Sequence, residues 1–191
     1  MSAIPALPLL LCCWEGVEAG RADLRALAAI EDGRLRLGFN LAWQPSVSPL
    51  QLPIGQGSAG TPPQRCDGLW KHTCFEAFIA AAGCSAYWEF NLSPAGDWNV
   101  YRFDGYRAGQ RIETSYQQLP FDRTCMQALF TLNLQCPLPP DLRQSLQGGA
   151  ELELGLTAVL EQRGGELSYW ALQHPGSEPD FHDRRGWLLR L

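Results

Sequence analysis

Residues 67–78, DGLWKHTCFEAF, hold the only lysine of the chain, one of its three histidines, one of its seven tryptophans and a glutamate. Read as the entry to a strand, this stretch puts Trp70, His72, Cys74, Glu76 and Phe78 on one side, because successive strand side chains face opposite ways. Phe75, Ala77 and Ile79 then fill a core on the other side. A sheet face that mixes large aromatic groups with a carboxylate suits recognition of a polyhydroxylated molecule. Flat rings cover the apolar C–H faces of a sugar, and carboxylates and amides bond its hydroxyls in fixed directions.

Other chemistries draw on the same residues. Glu76 and Glu89 are two acids on neighbouring strands, the pair that glycoside hydrolysis requires. Cys74 beside His72 has the composition of a thiolate nucleophile, but two strand positions separate their backbones by about 7 Å, too far for a short cysteine side chain. HPGSEPDFH, residues 174–182, brings His174, Asp180 and His182 close in sequence, a composition that suits a two-histidine, one-carboxylate metal set without matching its spacing. The glycines of GQGSAG and SPAG do not lie between a strand and a helix start, so they read as turns rather than a phosphate cradle.

The elements that must position these groups are strands. GRLRLGFNLAW (33–43) alternates, with Leu35, Leu37, Phe39 and Leu41 on one face. CMQALFTLNL (125–134) groups Met126, Ala128, Phe130, Leu132 and Leu134, and ELELGLTAVL (151–160) groups Leu152, Leu154, Leu156, Ala158 and Leu160. Period-two patterns broken by Gly and Pro predict an all-β, antiparallel β-sandwich with at most one or two short helices. The helix candidates are 19–30, which could equally be a strand, and 139–149, with Pro and Asp at its start and Gly at its end. SAYWEFNLS and DWNVYRF predict a hairpin turning at Pro94, Ala95 and Gly96 and pairing Asn91 with Asn99 and Glu89 with Tyr101. This register alone gathers Trp88, Phe90, Leu92, Trp98 and Val100 on the core face. In LSYWALQH (167–174), Leu167, Tyr169 and Ala171 suit the core, which turns Trp170 and His174 outward. The outer face then offers Trp70, His72, Glu76, Tyr87, Glu89, Asn91, Tyr101, Trp170 and His174, with His182 close by. Arg34, Arg36 or Arg102 could partner the carboxylates should loops cover this face, and the turn-rich stretch 44–65 could form its rim.

The bulk numbers set the frame. One domain over 1–191 suits the length, and 46% hydrophobic against 18% charged residues allows a substantial core. Fifteen basic and 20 acidic residues give a net charge of −5 without a basic block, which argues against nucleic acid and membrane as partners. Seven irregularly spaced cysteines suit free thiols in a reducing cytoplasm rather than a disulfide framework. The apolar start, MSAIPALPLLLCCWEG, lacks a preceding positive charge and is interrupted by Pro5 and Pro8, so a first strand is expected rather than an export signal.

DGLWKHTCFEAFI, YWEFNLSPAGDWNVYRFDGYRAG and LSYWALQHPGSEPDFHDRRGWLLRL together resemble the DOMON-like family related to the family 9 carbohydrate-binding modules. The resemblance implies a β-sandwich that binds sugar or haem. In the related sugar modules two tryptophans hold a glycan end, a part that Trp70 and Trp170 could play. A haem site would draw on Met126, His72, His174, His182 or Lys71. Met126 groups with core leucines and Lys71 points away from His72, so no cofactor is expected. The reading is non-catalytic binding of a small polyhydroxylated ligand, a saccharide above all. The alternative is an enzyme with a His/Glu or His/Asp acid–base or metal site, and the third is a haem-binding domain. An aromatic sheet face could also pair two copies into a homodimer.

Overall fold

The computed structural model describes residues 7–14, 22–45, 50–52 and 63–191. Its strands are β1 (Leu9–Leu10), β2 (Cys12–Cys13), β3 (Ala22–Glu31), β4 (Arg34–Trp43), β5 (Cys74–Ala81), β6 (Tyr87–Leu92), β7 (Trp98–Phe103), β8 (Arg111–Ile112), β9 (Phe121–Met126), β10 (Leu129–Pro137), β11 (Leu152–Glu161), β12 (Leu167–Ala171) and β13 (Leu189–Arg190). One α-helix, α1 (Pro140–Gln147), and two short 3₁₀ turns, Leu69–Lys71 and Arg184–Gly186, complete the set. The strands form two antiparallel sheets. The smaller runs β1-β3-β4-β10-β9. The larger runs β2-β12-β11-β5-β6-β7-β8, with β13 beside the end of β11 that β12 leaves unpaired. The fold is thus the expected all-β sandwich.

Alternation explains the layering. Leu35, Leu37, Phe39 and Leu41 of β4 are buried, as are Phe130, Leu132 and Leu134 of β10. They meet Phe75, Ala77 and Ile79 of β5 and the leucines of β11 from the opposite sheet. Phe75 stacks on Phe130 at 5.2 Å and tilts against Phe39 at 5.3 Å, which ties the sheets face to face. The hairpin β6–β7 has the expected register, with Asn91 opposite Asn99 and Glu89 opposite Tyr101. Trp88 and Trp98 are both buried. Gly96 turns the chain at φ 109°, where a Cβ would also strike the Arg123 guanidinium.

Two expectations change, and a third lies largely outside the described residues. The stretch 19–30 holds a strand rather than a helix from Ala22 on, residues 19–21 lying outside the described residues. Asp32 and Gly33 both have positive φ, the two-residue turn that locks an antiparallel pair, and the ladder with β4 outweighs the helical preference of the alanines. Met126 is 74% exposed, because β9 and β10 turn tightly at Gln127 and Ala128 and leave it at the hairpin end. The stretch 44–65 lies outside the described residues at 46–49 and 53–62; its described parts dock on Glu161, Gln162 and Trp98. The expected helix at 139–149 is present as α1. At the start, Pro5 falls outside the described residues, while Leu11 is buried where the chain passes from the smaller sheet to the larger. Among the described residues no helix is long and apolar enough to cross a membrane.

The outer face of the larger sheet is partly covered. All eight residues of β5 are buried, since the segment that follows β12 folds back across them. Phe78, Ala80, Tyr87 and Phe103 pack under Trp187 and Phe181 in a second apolar cluster. Trp187 lies flat over Gly155 of β11, and its Nε1 donates to the Phe181 carbonyl at 2.9 Å. A Cβ at Gly155 would sit 2.5 Å from the Trp187 ring. Gly155→Ala should therefore lift this segment and cost about 1–3 kcal/mol by overpacking, and Trp187→Ala about 3–5 kcal/mol by truncation. Urea unfolding with unchanged native circular dichroism checks both, and an alanine tolerated at 155 without loss would refute this docking.

Candidate functional site

Where the returning segment stops short, the sheet face opens into a cavity of about 340 Å³. Its floor carries Glu76 of β5 and Glu89 of β6. Glu76 pairs across the ladder with Asn91, and Glu89 pairs with Phe78, so the two carboxyls stand diagonally on adjacent strands. Trp70 forms one wall from its 3₁₀ turn, Tyr169 and Val159 a second, Phe103 and Arg107 a third, and Phe181 and His182 a fourth.

Glu76 is 2% exposed. Its Oε2 accepts from the Thr157 hydroxyl at 3.2 Å, and its Oε1 has no hydrogen-bond partner. Glu89 accepts from Asn91 Nδ2 at 2.7 Å through Oε1, while its Oε2 lies 3.9 Å from His182 Nε2. The arginines proposed as partners are engaged elsewhere. Arg36 pairs with Glu31, Arg102 pairs with Asp141, and Arg34 donates to the Gln135 carbonyl. Burial first, then repulsion from Glu89, holds the Glu76 carboxyl well above the usual carboxylate range. Burial pushes Glu89 up to about 7 against the Asn91 hydrogen bond and the Arg107 charge. Burial and the neighbouring carboxyl both favour the protonated form of Glu76.

His182 is held by a clamp. Arg107 bridges Asp180 at 2.8 Å, Tyr106 also donates to Asp180, and Asp180 Oδ1 accepts the His182 backbone N–H at 3.1 Å. This ties the turn after β7 to the returning segment. Burial, reinforced by the Arg107 charge, pushes the His182 imidazole down to about 4, so it is neutral at pH 7. The Tyr87 hydroxyl accepts the Arg107 backbone N–H at 3.2 Å and donates to His182 Nδ1 at 2.7 Å. The ring proton then sits on Nε2, the nitrogen that faces Glu89.

A second network props up Trp70. Asn99 donates to Asp67 at 2.9 Å and to the Tyr101 hydroxyl at 2.8 Å, and Tyr101 donates to Asp67 at 2.7 Å. Arg65 donates to Asn99 Oδ1 at 2.7 Å and lies over the Trp98 ring at 4.2 Å. These bonds fix residues 65–67, and Gly68, at φ 74°, turns the chain into the 3₁₀ turn that carries Trp70 edge-on to Tyr101.

Of the residues expected at the site, Trp70, Glu76, Glu89 and His182 line the cavity. Asn91, Tyr87 and Tyr101 are buried behind it as supports for Glu89, His182 and Trp70. Three are not brought to it. His72 is outside because the strand begins at Cys74 and the 3₁₀ turn breaks the alternation before it; its ring is exposed and bonds Glu161 at 2.9 Å. Trp170 faces the sandwich core, since β12 pairs it with the inward Ala158, and its Nε1 donates to Ser168 Oγ at 3.0 Å. Tyr169 takes the outward position instead. His174 follows β12, bonds the Cys12 carbonyl at 3.0 Å and lies against Trp14. The proposed metal set is thereby separated, with Asp180 on Arg107 and His182 on Tyr87. Met126 and His72, candidate haem ligands, are exposed away from the cavity. Arg107, Phe103 and Tyr169 escaped the sequence reading. The Arg107 backbone, at φ 50°, is a left-handed turn that only the folded loop reveals.

No protein-family model and no curated protein sequence matches the chain. Among solved structures it is similar to a "putative carbohydrate-binding protein from Bacteroides uniformis ATCC 8492", with TM-score 0.63 and 12% identity over 96% of this chain and 84% of that one. It also aligns with a family 9 carbohydrate-binding module from Caldicellulosiruptor kristjanssonii in complex with glucose, with TM-score 0.44 and 8% identity over 86% of this chain and 73% of that one. The first likeness is one of fold.

The titrations work in opposite directions. Glu89 in the folded chain keeps its proton up to about 7 instead of the ordinary 4.5, so the native state binds more protons across that window and stability falls as pH rises through it. His182 titrates at about 4 instead of 6.5, so the unfolded state binds more protons there and stability falls as pH drops through that window. Each shift is worth roughly 3 kcal/mol when fully expressed. Between 4.5 and 6.5 the two oppose one another; above that only the carboxyls act. Glu89→Gln should shrink the alkaline loss and unfold at higher urea than the parent at pH 8. Parallel urea midpoints of parent and variant from pH 4 to 8.5 would contradict this electrostatic account.

Proposed function

We propose that the chain is a single DOMON-like domain over residues 1–191 that binds a small polyhydroxylated ligand, a saccharide end, in this cavity without transforming it. One observation carries the reading. Glu76 Oε1 is buried, unpartnered and set in the cavity wall. A buried polar atom without a partner costs about 1–3 kcal/mol, and a ligand hydroxyl, which can both donate and accept, recovers it. The surroundings suit a sugar, with Trp70 and Tyr169 as flat walls and Glu89 and His182 as an acceptor and a donor. The fold likeness to a protein described as carbohydrate-binding supports the same ligand class. The odd number and irregular spacing of the cysteines favour a reducing compartment such as the cytoplasm. A second reading rests on the pair of carboxyls on the cavity floor: one as general acid to the leaving oxygen and the other as base to a water would hydrolyse a glycosidic bond.

Titration calorimetry against mono- and disaccharides tests the proposal. Glu76→Gln should weaken binding by roughly tenfold to a hundredfold. It should leave folding stability at pH 6 almost unchanged, because the amide resembles the protonated acid in shape. Trp70, 37% exposed, contributes little to the core, so Trp70→Ala should lower affinity by about twofold to tenfold at constant melting temperature. Release of reducing sugar from a disaccharide would transfer the site to the hydrolytic reading. Absence of any binding, with both variants unfolded at lower temperature, would make the pair a purely structural feature.

A further inference from the structure

The two carboxyls share the cavity floor, diagonal on adjacent strands, without a bonded countercharge among the described residues. Around Glu76 stand Cys74 on its own strand, Glu89 and Asn91 on β6 and Thr157 on β11; none is basic. The Cys74 thiol is turned to Asn91 Oδ1 at 3.5 Å. Around Glu89 the basic groups are His182, neutral at pH 7 and 3.9 Å away, and Arg107, whose guanidinium is bridged to Asp180. Among the described residues no lysine or arginine side chain bonds either acid, so no cation is bonded to this floor.

We infer that the ligand carries a primary ammonium group, seated between Glu76 Oε1 and Glu89 Oε2, so that the saccharide taken by the cavity is an amino sugar. The inference rests on the saccharide reading above and narrows it. A hydroxyl brings one hydrogen to the pair and no charge, so one acid must keep its proton and part of the acceptor capacity stays unused. An ammonium brings three hydrogens and a full positive charge, which lets both acids ionise and bond it at once. The walls favour the same choice. Trp70, Phe78, Phe103, Tyr169 and Phe181 surround the floor, and aromatic faces attract a desolvated cation. A ligand anion would meet two acids and a committed arginine. At about 340 Å³ the cavity suits a monosaccharide-sized group rather than a polymer chain.

The test uses calorimetry at pH 6.5 with glucosamine, galactosamine and mannosamine, each beside its parent hexose and its N-acetylated form. At least one amine should bind tenfold or more tightly than its parent, and N-acetylation, which removes the charge, should abolish that preference. Binding should also release protons, because the ammonium drives the acid pair to ionise; the observed heat will then change with the ionisation enthalpy of the buffer. Glu76→Gln should erase the preference for the amine while keeping weak sugar binding. Glu89→Gln supplies the same comparison where the first variant does not fold. Equal affinity for a hexose and its amine would overturn the ammonium and leave the saccharide reading standing. Amine preference untouched in both variants would overturn the seat assigned to it. No binding by any of the nine compounds would overturn both readings.

Discussion

Glu76 and Glu89 occupy adjacent strands of a fully built sheet, buried, diagonal to each other and without a cation. Burying one carboxylate costs several kcal/mol, and burying two side by side costs more unless one takes a proton. The rest of the site is arranged around that constraint. Asn91 and Thr157 each satisfy one oxygen and leave one free on each acid. His182 is kept neutral, so it holds out a single N–H without competing as a countercharge. Arg107, whose charge acts on Glu89, is itself bonded to Asp180. An isolated hairpin could not keep acids in this state, because water would reach them. The second apolar cluster under Trp187 is what excludes it.

The sandwich supplies the rigidity. With Phe39, Phe75 and Phe130 stacked between the sheets, β5 and β6 cannot shift register without turning every core residue outward. Neighbouring strands set the spacing of the floor, while loops supply the walls. Each wall is pinned by its own polar network. Asp67, Asn99 and Tyr101 hold the Trp70 turn, and Tyr106, Arg107 and Asp180 hold His182. The division of labour is common in binding proteins: fixed acceptors on strands, adaptable contacts on loops.

Much of this was legible in the residues. The β6–β7 register followed from its aromatic pattern, because only one pairing hides two tryptophans at once, and the floor acids followed from that register. The faces of β12 were not legible. Leu167, Tyr169 and Ala171 are as apolar as Ser168, Trp170 and Leu172, so alternation alone cannot say which set turns inward. The small Ala158 opposite Trp170 decides it. His72 falls off the face because the strand pattern does not reach back through the turn that Gly68 initiates. β3 was ambiguous because its alanines suit a helix, although the Asp32–Gly33 pair is a hairpin signal in its own right. His182 is legible as a polar candidate but not its place beside Glu89, since that depends on a clamp between residues more than 70 apart in sequence.

The central claim is that the unliganded cavity floor holds a proton on a buried carboxyl at neutral pH. A ¹³C nuclear magnetic resonance titration of the glutamate side-chain carboxyl carbons reads this directly. One glutamate signal should titrate well above the ordinary 4.5 and be lost in Glu76→Gln, and a second should titrate near 7. A spectrum in which every glutamate carbon titrates close to the ordinary 4.5 would contradict it.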